Sequence, residues 1–225
     1  MDRQSVSLIG PGHAPLPPAH YKQGFAILMA FTLWAIGYFI VKWIVDVSDA
    51  RLLPEPIESR IPFVPGSVFT YLGLYPMFIF PLLWIRDEAA FSKVIRAYTA
   101  LMLFCYLIFV AYPVRIERPE FAVTTFATWA LSVVYRADNP PINCLPSVHV
   151  AMVFLSAFIL REIRRDVGAA ALLYAAAITL CTLTTKQHYI ADGVVSLIVS
   201  YAVFQFVFHP DRVAKLFTRL RPIGD

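Results

Sequence analysis

Charge is what this chain has least of. Of its 225 residues only 15% are Asp, Glu, Lys or Arg, against about a quarter in an ordinary soluble domain, while 59% are apolar. A water-facing surface cannot be built from that composition, so the chain reads as a polytopic membrane protein. Cysteine is also scarce. The three present, Cys105, Cys144 and Cys181, show neither CxxC nor Cys/His metal spacing, which excludes a disulfide framework and the common zinc modules. No basic stretch is interleaved with aromatics. A net charge of +4 in such a chain reflects orientation and contact with anionic headgroups, and no nucleic-acid partner is expected.

What the chain does have is long apolar runs. A transmembrane helix needs roughly 20 mostly apolar residues, and six segments are expected to span: 24–45, 67–85, 97–112, 147–160, 168–184 and 190–208. The expected fold is therefore all-α, a six-helix transmembrane bundle over 24–209. A flexible, Pro- and Gly-bearing arm (1–23) precedes it and a basic tail (210–225) follows. The first run lacks a small-residue cleavage signature and reads as an uncleaved anchor, with Lys42 near its end snorkelling to the interface. Arg86, Lys93 and Arg96, then Arg161, Arg164 and Arg165, then the tail's Arg212, Lys215, Arg219 and Arg221 fall on one side, which the positive-inside rule makes cytoplasmic. The opposite side receives the Pro-rich 46–66 connection, the long 113–146 connection and a short one near 186–189. Within the second of these, Phe121, Thr125, Trp129 and Val133 recur at four-residue spacing, so a short helix over 121–135 is expected to lie in the interface on the non-cytoplasmic side. The expected location is a bacterial inner membrane, with the site facing the periplasm or exterior.

Three polar stretches fall at the outer ends of these spans: YPVRIERP, ending in Arg118-Pro119; NCLPSVH, with Ser147 and His149; and TTKQHYIAD, with Lys186, His188 and Asp192. His188 and Asp192 are four apart and are expected to share one helical face. A carboxylate accepting from one imidazole nitrogen leaves the other free to attack, so His188 is the candidate nucleophile and Asp192 its orienter. Ser147 is a natural N-cap, and the amides of the turn behind it form an anion site. His149, in that turn, is placed to protonate a leaving oxygen. Arg118 and Lys186, with Arg115 as a weaker candidate, are cations suited to phosphate oxygens. This face offers few carboxylates beyond Asp192, so metal-independent chemistry is expected, with no cofactor. A non-catalytic lipid or anion transporter would instead place charge deep within the spans, where this sequence has almost none.

Arg-Pro, then Pro-Ser-x-His, then His-x-x-x-Asp, in this order over transmembrane helices, resembles the type 2 phosphatidic acid phosphatase superfamily, which also includes bacterial acid phosphatases and vanadium haloperoxidases. The resemblance runs from about the second span to the sixth. It implies a six-helix bundle working without metal, with His188 as nucleophile, Asp192 as its partner, His149 as acid and Arg118 on the phosphate. Each of the three motifs departs from the family pattern: Ala111 stands where a Lys is usual, Val148 where Gly is usual, and Cys181-Thr182 where Ser-Arg is usual. Leu-Pro-Ser-Val-His and Lys-x-His-Tyr-x-x-Asp look more like the inositol-phosphotransferase branch, which includes inositol phosphorylceramide synthases. The implied substrate is a lipid phosphate, with water or a lipid alcohol as the acceptor.

Overall fold

The structure is a computed structural model that describes residues 19–54 and 57–213. Most of the expected arm (1–18) and tail (214–225) lies outside the described residues. The chain is mostly helical: α1 (Ala19–Ile44), α2 (Val68–Leu72), α3 (Leu74–Trp84), α4 (Glu88–Ala111), α5 (Phe126–Ala137), α6 (Val148–Ile163), α7 (Arg165–Thr184) and α8 (Ile190–Phe208). Among the described residues, five stretches are long and apolar enough to cross a membrane, namely Gln23–Ile44, Pro65–Trp84, Glu88–Ala111, Arg165–Thr184 and Ile190–Phe208. The expected fourth span, 147–160, corresponds to α6, whose 16 residues fall short of that length.

The helix bounds differ from the sequence expectation where capping decides them. Asp87 accepts from the Ala90 amide, so α4 starts at Glu88, nine residues before the expected span, and Lys93 and Arg96 lie in the helix instead of a loop. α6 and α7 are separated by Arg164 alone. This corner needs Gly168, because a Cβ there would stand 2.2 Å from the Arg161 Cα.

α6 is the centre of the bundle. Val150, Ala151, Val153, Leu155, Ala157 and Ile159 are fully buried, and the helix packs against α3, α4, α7 and α8. Its close approach to α8 follows from small side chains on the facing surface of α8. Ser196 Oγ reaches the Ser147 carbonyl at 2.9 Å and Ser200 Oγ reaches the Ala151 carbonyl at 2.8 Å. Small polar residues of this kind hold apolar-phase helices together where no hydrophobic force can. α1 packs against α4 and leaves Phe25, Leu28, Leu33, Phe39 and Trp43 exposed, an apolar surface suited to lipid.

At one end the connections knit together. β1 (Arg51–Leu52) pairs in parallel with β2 (Val114–Arg115), and Val114 also bridges Asn143. The Cys144 amide donates to the Val114 carbonyl at 3.2 Å. Three separate connections are thereby fixed relative to one another above the ends of α6 and α8. α5 lies beside them, started by the Thr125–Thr128 capping box and exposing Phe126, Trp129 and Val133 on one face.

Candidate active site

Ser147 is the N-cap of α6, its Oγ accepting from the Val150 amide at 3.3 Å. The same Oγ lies 2.9 Å from His188 Nε2. On the other side of the ring, Nδ1 lies 3.0 Å from Asp192 Oδ2. Asp192 is the third residue of α8, and Oδ2 also accepts from the Tyr189 amide at 2.9 Å. A carboxylate reaching back over a helix start satisfies an orphan amide and suits the helix dipole. His188 therefore precedes the helix and meets Asp192 through this cap, whereas the sequence suggested two residues on one helical face. Asp192 Oδ1 is buried and has no hydrogen-bond partner among the described residues.

His149 sits in the first turn of α6, its ring edge-on to Tyr71 at 6.0 Å between centroids. A cavity of ≈ 350 Å³ opens beside His188, lined among others by Arg118, Lys186, Glu58 and Phe63. Arg115 is not among the residues lining it. The Arg115 Nε donates to the Ala50 carbonyl at 3.2 Å, and its terminal nitrogen lies 3.6 Å from Glu117.

Lys186 closes α7 in a motif usually completed by glycine. It has φ 51°, the Gln187 amide donates to the Thr182 carbonyl at 2.9 Å, and the Lys186 amide donates to the Leu183 carbonyl at 3.2 Å. Its Nζ donates to the carbonyls of Glu58 (2.8 Å) and Ile61 (2.7 Å), which ties the 46–66 connection to the site. Glu58 Oε1 in turn accepts from the Ile190 amide at the start of α8 (3.1 Å).

Arg118 is engaged more fully than the sequence suggested. One terminal nitrogen donates to the carbonyls of Tyr135 and Asp138, both at 3.2 Å, and the other to Asp138 Oδ2 at 2.5 Å. Its guanidinium lies over the Tyr135 ring at 4.6 Å, and its Nε is buried without a partner among the described residues. Asp138 Oδ1 accepts from Lys42 Nζ (3.1 Å) and from the Tyr38 hydroxyl (2.6 Å), both on α1. Lys42 does not snorkel. Its side chain is 6% exposed, and a carboxylate has drawn it inward. Burial alone would raise the Asp138 carboxyl, but Arg118, Lys42 and the Tyr38 hydroxyl outweigh it and hold it below the usual carboxylate range.

Sequence reasoning missed Asp138, Glu58 and Lys42. Their partners are distant in sequence, as with Lys42 and Asp138, 96 residues apart, and no local pattern could pair them. It also missed Cys144. The ligand atoms of Cys144, His188 and Asp192 lie within 4.8 Å of one another, all three residues buried. Burial first, then the charges of Asp192 and Asp138, push the Cys144 thiol upward, so it stays protonated.

A family model for the PAP2 superfamily matches residues 67–206, more than half of the chain and all of the His188, Asp192, Ser147, His149, Arg118 and Asp138 cluster. The chain belongs to the PAP2 superfamily. Members are generally phosphatases or phosphotransferases, and membership with several membrane-length apolar helices marks a phosphatase-like integral membrane protein. No curated protein and no solved structure matches the chain. α1, with Tyr38 and Lys42, and the 46–66 connection, with Glu58, lie outside the matched segment but touch it directly in the fold.

Proposed function

We propose that the chain is a metal-independent lipid phosphate phosphatase that works through a phosphohistidine on His188. The observation that carries this reading is the imidazole held between Ser147 and Asp192 at the edge of a cavity lined by Arg118 and Lys186. With Nδ1–H donated to Asp192, the His188 Nε2 carries the lone pair, and at rest the Ser147 hydroxyl donates to it. A bound phosphoryl oxygen gives that hydroxyl a new acceptor. Ser147 then turns from the imidazole to the substrate, which uncovers Nε2 as the phosphorus arrives.

Nε2 attacks phosphorus, the P–O bond to the lipid breaks, and His149 gives its proton to the departing oxygen. Water then attacks phosphorus and returns a proton to His149. The P–N bond breaks, its electron pair goes back to Nε2, and phosphate leaves. Arg118 Nε–H, the α6 amides and Lys186 hold the phosphoryl oxygens as charge develops on them. A lipid alcohol in place of water would make the same enzyme a phosphotransferase of the inositol phosphorylceramide synthase kind, a reading favoured by the Leu-Pro-Ser-Val-His and Lys-x-His-Tyr-x-x-Asp forms.

In this reading the six spans include α6, short because it starts at the buried Ser147, and α5 lies in the interface on the non-cytoplasmic face of a bacterial inner membrane. The test is to incubate purified protein with a panel of lipid phosphates, with and without alcohol acceptors, and identify products by mass. Because Cys144, His188 and Asp192 form a donor set that zinc accepts, the same assay is run with excess chelator and with orthovanadate. Turnover that survives the chelator and is blocked by vanadate supports the reading. Loss on chelation, restored by a divalent ion, contradicts it.

A further inference from the structure

Two cations and one carboxylate meet at the edge of the site, and their charges do not cancel. Lys42 and Arg118 have side chains 6% and 9% exposed, and both pair with Asp138. The Arg118 terminal nitrogens donate to Asp138 and to the Tyr135 carbonyl, the side chain lines the His188 cavity, and its Nε–H is buried without a partner among the described residues. A buried guanidinium nitrogen left without an acceptor is costly unless something fills that place in the working state. The net single positive charge of the trio calls for an anion there.

We propose that Lys42 is a positioning residue that sets the anion affinity of the site by sharing Asp138 with Arg118. This rests on the phosphate-binding reading of the cavity. Asp138 opposes a bound phosphoryl group in two ways: it repels it, and it neutralises the guanidinium that should attract it. Lys42, with the Tyr38 hydroxyl, takes up one oxygen of that carboxylate (3.1 and 2.6 Å) and offsets its charge. Arg118 stays oriented by the other oxygen while the trio as a whole remains cationic. α1 thereby contributes to the chemistry of a helix bundle it otherwise touches mainly through α4. Without Lys42 the trio becomes neutral. With both Lys42 and Asp138 neutralised, the single positive charge returns on Arg118 itself.

The test measures binding of orthovanadate to purified protein by calorimetry, a readout that needs no turnover, on wild type, K42M, K42R, D138N and the K42M/D138N double variant, each first checked for a cooperative thermal transition. K42M should bind about 10-fold more weakly, K42R should stay near wild type, and K42M/D138N should recover most of the loss. D138N, which keeps Lys42 and drops the opposing charge, should bind more tightly than wild type, and this holds as a test even if K42M does not fold. In turnover, K42M should raise KM far more than it lowers kcat. Equal binding by K42M and wild type overturns the proposal, as does a double variant no better than K42M, or a D138N that binds more weakly. If wild type itself does not bind orthovanadate, the phosphate reading of the cavity falls first and takes the proposal with it.

Discussion

Ser147 has two jobs that a single substitution separates. Its Oγ caps α6 and covers the His188 Nε2. Ser147→Ala loses the cap, at about 1 kcal/mol, and also loses the hydroxyl that moves to the phosphoryl oxygen. Ser147→Thr keeps both oxygen functions where the buried space admits a methyl. The expected outcome is a small drop in thermal midpoint for Ser147→Ala with a much larger drop in kcat/KM; a kcat/KM loss no larger than the stability change accounts for would leave Ser147 as a cap alone. At Asp138 the prediction concerns acid. Its folded carboxyl is held below its unfolded value, about 3.9, so its contribution to stability is complete above that value and is lost as pH falls through the folded one. Thermal midpoints followed downward from pH 5 should therefore show an acid-sensitive component that Asp138→Asn lacks. A superimposable acid limb in the two proteins would mean that the Lys42 and Arg118 pairing contributes nothing to stability.

At the scale of elements, the end of α7 joins fold and site. Lys186 occupies a left-handed position at φ 51°, where a side chain costs about 1–2 kcal/mol relative to glycine. Lys186→Gly and Lys186→Ala both remove the ammonium and its bonds to Glu58 and Ile61, so their difference isolates the backbone. The glycine variant should be the more stable by about 1 kcal/mol, while both lose phosphate affinity alike. Equal stabilities would show that this helix end relaxes out of the left-handed conformation. The motifs at 118, 147–149 and 186–192 were legible in the sequence because each is local, and each fell at the end of an apolar run. The local cues also gave the N-cap at Ser147 and the partnership of His188 with Asp192. They misplaced its geometry, because an acid three residues into a helix can reach backward as well as across one turn. Asp138, Glu58 and Lys42 were not legible. They meet only where α1, the 46–66 connection and the end of α5 come together beside the site, and a lysine at the end of an apolar helix looks the same in sequence whether it meets headgroups or a buried carboxylate.

For the whole molecule the question is sidedness. The site and the α6–α7 corner lie at opposite ends of α6, and their exposed residues report on the two sides of the membrane. In a cysteine-free background, Glu117→Cys, where the side chain is 72% exposed, should react with an impermeant thiol reagent in intact cells. Asp166→Cys, where it is 67% exposed, should react only after permeabilisation. The reverse pattern would invert the orientation drawn from the Lys and Arg distribution. The central claim is the covalent bond to His188, and trapping it is the most direct test. Purified protein is mixed with a radiolabelled lipid phosphate, quenched rapidly in alkali, and the labelled residue is located by peptide mapping. The expected product is an acid-labile, alkali-stable phosphohistidine at His188, absent in His188→Ala; in a second arm, His149→Ala given a radiolabelled activated aryl phosphate should accumulate it, because water attack is slowed while the leaving group needs little protonation. A phosphoenzyme that persists in His188→Ala, or turnover with no labelled histidine at any time point, would contradict it.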